Sequence, residues 1–176
     1  MAAPPLSLKA RALQWLAQRE HSRVELQRKL LRLARQRAAE QADDAGAGTT
    51  AVDPAAAVES LLDWLVANRY LSDERFVESR VNARATRYGN LRIRHELGRL
   101  GASLDAATAE RLKDSELARA RAVWARKFAG RPDGSAPPCS AVERARQMRF
   151  LAGRGFSADV IRRVLRSGES EPDEHA

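Results

Sequence analysis

Two five-residue segments of similar composition recur in this chain: GASLD at residues 101–105 and GFSAD at residues 155–159. In both, a glycine closes one helical pattern, and a serine two residues later is suited to cap the next helix. Leu97 and Leu151 stand four residues before the two glycines, so they occupy equivalent positions. Such repetition is typical of stacked helical modules, and we expect both leucines to lie in the core.

A second pair of matching positions indicates where modules begin. Six residues separate Leu8 from Trp15, and six residues separate Leu117 from Trp124. Apolar residues recur with helical spacing along nearly the whole chain, and no segment alternates as a surface strand would. The predicted fold class is therefore all-α, with nine helices grouped into three tandem three-helix repeats. Because so small a unit buries little core alone, we expect neighbouring units to stack.

The predicted domain organisation follows the helix boundaries and turn signals. It comprises an N-terminal tail at 1–7, repeat 1 at 8–71, repeat 2 at 72–113, repeat 3 at 114–167 and an acidic tail at 168–176. Repeat 1 contains a predicted flexible insertion at about 38–52, which has no positive charge and no large apolar residue except Val52. Repeat 3 contains a predicted loop at about 130–140, with the sequence GRPDGSAPPCS.

Several polar residues are suited to begin helices. Ser7, Ser22 and Asp53 are predicted N-caps, since each has a side-chain oxygen that can accept a free backbone N–H group. Glu25 follows Ser22 by three residues, the spacing of a capping box. Residues 88–90, with the sequence YGN, are predicted to form a turn between two helices.

Positive charge predominates in the chain. There are 27 Arg and 4 Lys against 23 Asp and Glu, a net charge of +8. Residues 113–166 hold 13 basic and 5 acidic side chains, whereas residues 167–176 hold four acidic and no basic ones. This excess favours a polyanionic partner, nucleic acid first and an acidic protein surface second. Codon bias is an alternative explanation for the preference of Arg over Lys, but it does not explain the net excess.

The polar residues do not form a pattern typical of catalysis. Cys139 is the only cysteine, and His21, His95 and His175 have no partner at ligand spacing. We expect His21 and His95 to be exposed or to cap helices. The carboxylates at 73–74 suit the first turn of a helix, where they complement its dipole. No glycine-rich phosphate-binding loop is present. The sequence therefore predicts a protein that is not an enzyme and holds no cofactor or metal.

The hydropathy pattern contains no segment directed to a membrane. No apolar run reaches 18 residues, and the first residues lack the apolar core of a signal peptide. We therefore predict a soluble, cytoplasmic monomer with no membrane partner.

Three segments resemble a known protein family. They are REHSRVELQRKL at 19–30, YLSDERFVESRVNARATRYGNLRIRHELGRLG at 70–101 and MRFLAGRGFSADVIRRVL at 148–165. They resemble the signature segments of the bacterial RecX regulatory proteins, in the same order and with one in each repeat. The resemblance covers residues 8–167. The insertion at 38–52 and the loop at 130–140 depart from the family pattern, but both only lengthen connections and we expect the fold to tolerate them.

Membership of this family implies three tandem three-helix repeats in an elongated, curved arrangement. It also implies a partner, the RecA recombinase filament on single-stranded DNA. Family members modulate that filament, mostly as inhibitors of its ATPase, strand-exchange and coprotease activities. The resemblance therefore implies a role in DNA repair, DNA recombination and the SOS response.

Arginines are the candidate contacts to such a partner, because a guanidinium group pairs bidentately with either carboxylate or phosphate. Arg80, Arg84 and Arg87 share one face of a predicted helix, where we expect them to be exposed and to contribute little to folding. The full candidate set is Arg80, Arg84, Arg87, Arg92, Arg94, Arg99, Arg149, Arg154, Arg162, Arg163 and Arg166. We expect these side chains to form one continuous basic surface that meets the RecA filament and its single-stranded DNA, or double-stranded DNA.

Two other interpretations fit the sequence. The arginines could form a solvated face without a partner, or the protein could bind nucleic acids generally and act independently of RecA. Stacking of bases on aromatic side chains is a further possibility. We expect Trp15 and Trp124, which occupy a repeated position, to lie in the core. Trp64 falls off the apolar stripe of its helix and is predicted to be the exposed aromatic residue.

Overall fold

The computed structural model describes residues 6–44, 53–128 and 140–167. Every regular element in these ranges is an α-helix, which confirms the all-α prediction. The eight helices are α1 (Leu8–Gln18), α2 (Arg23–Asp44), α3 (Pro54–Ala67), α4 (Asp73–Ala85), α5 (Asn90–Arg99), α6 (Ala106–Phe128), α7 (Ala141–Gly153) and α8 (Ala158–Ser167). None of these helices is both long and apolar enough to cross a membrane. Most of the predicted insertion, nearly all of the predicted 130–140 loop and the acidic tail at 168–176 lie outside the described residues.

The described ranges contain eight helices where the sequence predicted nine. The sequence predicted one short helix at 103–112 and another marked by Leu117, Trp124 and Phe128, but residues 106–128 form one continuous helix, α6. Ser115 lies between them, and its hydroxyl donates to the carbonyl of Arg111 at 2.8 Å within the same helix rather than capping a new one. Since this segment contains neither glycine nor proline, nothing in its sequence stops the helix.

Helix α2 extends farther than predicted. The predicted insertion begins near residue 38, but α2 continues to Asp44. The additional residues are alanine, glutamate, glutamine and aspartate, of which the first three are strong helix formers. Gln36 Nε2 also donates to Glu40 Oε1 at 3.0 Å across one turn, which favours continuation of the helix.

The predicted helix caps are confirmed. The hydroxyl groups of Ser7 and Ser22 each accept a hydrogen bond, at 3.1 Å, from the backbone N–H three residues later. The carboxylate of Asp53 caps α3 by accepting a hydrogen bond from the backbone N–H of Ala55 at 3.0 Å. Gly101 and Gly155, the glycines of the two recurring segments, have φ angles of 71° and 81°. Both therefore adopt the left-handed conformation that follows many helices.

The chain forms two compact units. Unit 1 contains the described residues up to Ser79 together with Leu100–Ala102. Unit 2 contains Arg80–Arg99 and the described residues from Ser103 onward. The boundary between the units thus falls within α4, at the end of α5 and again inside the short α5–α6 connection. All eleven candidate arginines belong to unit 2.

The chain returns to unit 1 at Leu100 because residues 100 and 101 contact the start of α2. Ser22 Oγ donates to the carbonyl of Leu100 at 2.6 Å. The next residue, Gly101, is so close to Val24 that an added Cβ atom would lie 2.4 Å from its Cγ2 atom. A glycine is therefore required here for both its positive φ angle and its lack of a side chain.

Each unit has its own hydrophobic core. The core of unit 1 is built from α1, α2, α3 and the residues after α3: Ala12, Leu26, Leu30, Ala34, Val58, Leu62, Leu65 and Leu71. The core of unit 2 is built from α6, α7, α8 and the turn before α8: Ala120, Val123, Leu151, Phe156, Val160, Ile161, Val164 and Leu165. Leu97 and Leu151 are 1% and 0% exposed, which confirms their predicted burial.

His21 is buried, so the first of its two predicted alternatives, an exposed side chain rather than a capping one, is wrong. Its side chain, in the short α1–α2 connection, is 2% exposed. The Nδ1 atom lies 3.2 Å from Glu25 Oε2, and Glu25 is also paired with Arg19. Burial lowers the pKa of His21, while the carboxylate of Glu25 acts in the opposite direction. Lys29 and Arg19, the other charged groups near the ring, lower the His21 pKa further.

The lowered His21 pKa predicts a pH dependence of unit 1. The unfolded chain takes up this proton near the usual histidine value of 6.5, whereas the folded protein takes it up only at lower pH. Stability should therefore be full above about pH 7 and fall as the pH drops below 6.5. We expect His21→Gln to flatten this dependence in urea unfolding curves recorded between pH 7.5 and 5.5. Equal pH slopes for the two proteins would exclude His21 as the cause.

Candidate functional site

The turn between α4 and α5, at residues 86–89, packs directly against the turn between α7 and α8. Gly89 N donates to the carbonyl of Arg154 at 2.9 Å, and Leu91 N donates to the carbonyl of Gly155 at 3.1 Å. An added Cβ atom on Gly89 would lie 2.2 Å from the Gly155 oxygen. Only glycine fits at this position, and the contact joins two turns that are far apart in sequence.

Two charged residues of α6 hold the same turn. Arg119 donates to the carbonyls of Ala85 and Tyr88 at 3.1 and 2.8 Å. A second nitrogen of Arg119 donates to Asn90 Oδ1 at 2.6 Å. Glu116, which is buried, accepts a hydrogen bond from Asn90 N at 2.9 Å. Burial lowers the pKa of Arg119 and the charge of Glu116 raises it, but a guanidinium group remains charged at neutral pH.

Tyr88 lies among three guanidinium groups. The Cζ atoms of Arg92, Arg84 and Arg154 lie 4.4, 5.6 and 5.6 Å from the centre of its ring. These arginines come from α5, α4 and the residue that follows α7. We call the four residues the Tyr88 cluster. The distances suit attraction between a cation and the face of an aromatic ring, so Tyr88 helps to hold the three groups together.

One carboxylate pairs with this group of cations. Glu96 Oε2 lies 3.0 Å from Arg84 Nε, and Glu96 Oε1 lies 3.5 Å from Arg92 Nε. Arg92 also donates to the carbonyl of Gly153 at 3.3 Å. The cluster and Glu96 together therefore carry three positive charges and one negative charge.

The structure brings three of the eleven candidate arginines into this cluster. The other eight lie elsewhere in unit 2, and all of them except Arg80 are exposed. Arg162 is paired with Asp159 at 3.5 Å. Arg80, Arg99, Arg163 and Arg166 each have an interaction of their own. One continuous surface through all eleven therefore stays a prediction, whereas the meeting of Arg84, Arg92 and Arg154 is observed.

Arg84 is less exposed than the sequence analysis expected. Its side chain is 35% exposed, and its Nε atom is buried beside Glu96. Substitution of Arg84 by glutamate would place two carboxylates side by side in a partly buried site, which is unfavourable. Neutral substitutions at Arg92 and Arg154 are therefore the better probes of the cluster.

The sequence analysis did not identify Tyr88, Arg119 or Glu116 as parts of a site. A local signal was available for Tyr88, since it stands four residues after Arg84 and directly precedes the predicted Gly89 turn. No local signal marks Arg119 and Glu116 as partners of this turn, because the groups of the turn that they bind are 26 or more residues away in the sequence.

The three tryptophans are not two buried residues and one exposed residue, as the sequence predicted. Trp15 packs against the core of unit 1 and Trp124 against the core of unit 2, and both are partly buried. Trp64 is also partly buried, so the prediction that it is exposed is wrong. Its ring is stacked on Tyr70 with centroids 5.6 Å apart, and Lys9 Nζ lies 3.4 Å from its centre. The surroundings of Trp64 thus leave less of its ring open to a base than the sequence indicated.

Comparisons with family models and with known proteins all indicate the same family. Residues 114–165 match the family model described as RecX, third three-helix domain. The chain is 44% identical to the regulatory protein RecX of Ralstonia nicotianae, over 99% of this chain and 97% of that protein. It is 46% identical to the regulatory protein RecX of Leptothrix cholodnii, over 97% of this chain and 94% of that protein.

A solved structure shares the fold. The crystal structure of RecX from Lactobacillus salivarius matches with a TM-score of 0.63, over 92% of this chain and 94% of that one. The sequence identity is 17%, so this match supports the helical fold alone.

Proposed function

The chain belongs to the RecX family of regulatory proteins, and on this basis we propose that it modulates the RecA recombinase as an inhibitor. It binds the RecA filament on single-stranded DNA through arginine-rich helical surfaces, and thereby lowers the ATPase, strand-exchange and coprotease activities of the filament. The observation that carries this proposal is the high identity to regulatory RecX proteins over nearly the full length of the chain.

The charge distribution supports a filament as the partner. A nucleoprotein filament presents both phosphate and carboxylate groups, and arginine can pair bidentately with either. Unit 2 holds all eleven candidate arginines, three of them in the Tyr88 cluster. In this proposal the protein acts by binding alone, as a cytoplasmic monomer, without catalysing a reaction.

The DNA-dependent ATPase of RecA tests this function. We expect the rate to fall when the protein is added at substoichiometric ratios to RecA already assembled on single-stranded DNA. A filament couples many subunits, so a bound regulator should affect more than one of them. An unchanged ATPase rate together with an unchanged filament lifetime would contradict the proposal.

A second candidate function is general nucleic-acid binding without RecA. The net charge of +8 supports it, because Lys and Arg side chains bind phosphates whatever the sequence. Both functions predict DNA binding that weakens with salt. They differ in one measurement, since only the first predicts that the protein binds RecA in the absence of DNA.

A further inference from the structure

We propose that the Tyr88 cluster is a binding site for a backbone phosphate of DNA, held by the guanidinium groups of Arg84, Arg92 and Arg154. The inference rests on the proposed function and makes it more specific. It names the DNA of the filament, rather than an acidic surface of RecA, as the component that occupies this site.

The charge of the cluster is the first reason. All three Cζ atoms lie within 5.6 Å of the same ring centre, so no two of them are farther apart than 11.2 Å. The screening length in physiological salt is about 8 Å, so repulsion is largely screened at this upper limit and acts between the guanidinium groups that lie closer together than that. Glu96 balances one of the three charges. A bound anion would balance a second charge and relieve much of the remaining repulsion.

The hydrogen-bonding capacity of the arginines is the second reason. Each guanidinium group has five N–H donors. Within the described part of the chain, Arg92 uses donors on Glu96 and on the Gly153 carbonyl. Arg154 makes one long bond, of 3.4 Å, to the carbonyl of Arg87. Donors therefore remain on guanidinium groups whose positions are already restrained by these bonds and by the Tyr88 ring.

The arrangement of the donors favours a phosphate over a carboxylate. A carboxylate is flat and has only two oxygen atoms, which in this cluster Glu96 divides between Arg84 and Arg92. The three groups here come from α4, α5 and the end of α7, so they approach from different elements. A tetrahedral phosphate group can accept hydrogen bonds from several such directions. Phosphates also recur along a strand, and Arg87, whose carbonyl accepts from Arg154, has an exposed side chain.

Tyr88 acts in this site as a positioning residue. Its ring attracts the three guanidinium groups through its face, and no ion pair is needed for that attraction. Substitution of the ring by an aliphatic side chain keeps every charge but removes one of the restraints on the three groups. Tyr88→Leu should therefore weaken DNA binding, whereas Tyr88→Phe retains the ring and should bind as the parent does.

The test is the affinity for labelled single-stranded DNA without RecA, measured by fluorescence anisotropy over a range of salt concentrations. The probe variant combines Arg92→Gln with Arg154→Gln. The control combines Arg32→Gln with Arg35→Gln, which removes the same charge from exposed positions of α2. We expect the probe variant to bind at least about five-fold more weakly and to lower the slope of log K against log salt by about 0.7, the value for one phosphate contact on a single strand. The control should stay within about two-fold of the parent.

Circular dichroism melting establishes that the variants are folded. If the Arg92→Gln, Arg154→Gln protein does not fold, the comparison of Tyr88→Leu with Tyr88→Phe takes its place, because neither change alters charge. We expect Tyr88→Leu to bind DNA several-fold more weakly with an unchanged salt slope. Equal affinity of the two Tyr88 variants would overturn the proposed role of the ring.

The outcomes separate this inference from the proposed function. Loss of DNA affinity with retained binding to DNA-free RecA supports the phosphate site. Retained DNA affinity overturns it, and if binding to RecA is lost at the same time, the cluster contacts protein carboxylates instead. Loss of DNA affinity in the variant, together with a parent protein that leaves the RecA ATPase unchanged, would retain the site and reject the proposed function.

Discussion

Substitution of Leu151 by alanine should lower the free energy of unfolding of unit 2 by about 2–5 kcal/mol. Leu151 is 0% exposed and lies in the core that α6, α7 and α8 share. The substitution removes buried methyl groups and leaves a cavity that the surrounding helices can close only in part. Leu97→Ala, at the equivalent position of repeat 2 and 1% exposed, should produce a loss in the same range.

Leu91 provides a matched control for these leucine substitutions. It lies on α5, as Leu97 does, but it is 58% exposed. Leu91→Ala should change the free energy of unfolding by less than about 0.5 kcal/mol. Urea unfolding can be followed by the fluorescence of Trp124, the one tryptophan in unit 2, after Trp15 and Trp64 of unit 1 are replaced by phenylalanine. A loss below about 1 kcal/mol at both Leu97 and Leu151 would contradict the assigned helix faces.

Substitution of Arg119 by methionine should destabilise unit 2 by about 3 kcal/mol or more. Arg119 supplies the hydrogen bonds that hold the carbonyls of Ala85 and Tyr88 and the side chain of Asn90. Bonds from a charged donor are worth about 1.5–3 kcal/mol each, and their loss leaves the acceptors without a partner. The carboxylate of Glu116 would also remain buried without its neighbouring positive charge.

Arg146→Met is the control for Arg119, because it makes the same chemical change on α7 at a side chain that is 64% exposed. Its ion pair with Glu143 is on the surface, so the expected loss is below about 1 kcal/mol. Arg119→Lys should be intermediate, since a lysine keeps the charge but cannot reach the same set of acceptors. Equal stability of Arg119→Met and Arg146→Met in thermal unfolding would show that Arg119 does not hold the turn.

Helix type, helix caps and core positions could be predicted because each depends on residues close together in the chain. Ser7 and Ser22 bond to N–H groups three residues away, and Leu97 and Leu151 are placed by helical spacing relative to a glycine. The two wrong predictions of helix boundaries also concern neighbouring residues. The C-terminal end of α2 and the continuity of α6 depend on small differences in helix propensity, which sequence patterns resolve poorly.

The Tyr88 cluster could be predicted only in part. The sequence analysis named its three arginines among eleven, because arginine suits a polyanionic partner, but it could not rank them. It did not identify Tyr88. It also expected His21, which lies outside the cluster, to be exposed or to cap a helix. The burial of His21 depends on the packing of helices around it, which a single sequence does not display.

The all-α class, the glycines and serines at helix ends, the buried leucines at repeated positions and the excess of arginine all follow from the order of residues along the chain. Which arginines meet depends instead on how the helices pack. Arg92 and the carbonyl of Gly153 are 61 residues apart, and they come together because Gly89 and Gly155 have no side chains to keep their turns apart. Helix propensity and capping act over three or four residues, whereas the place of a charge in a folded surface is set by which helices pack together.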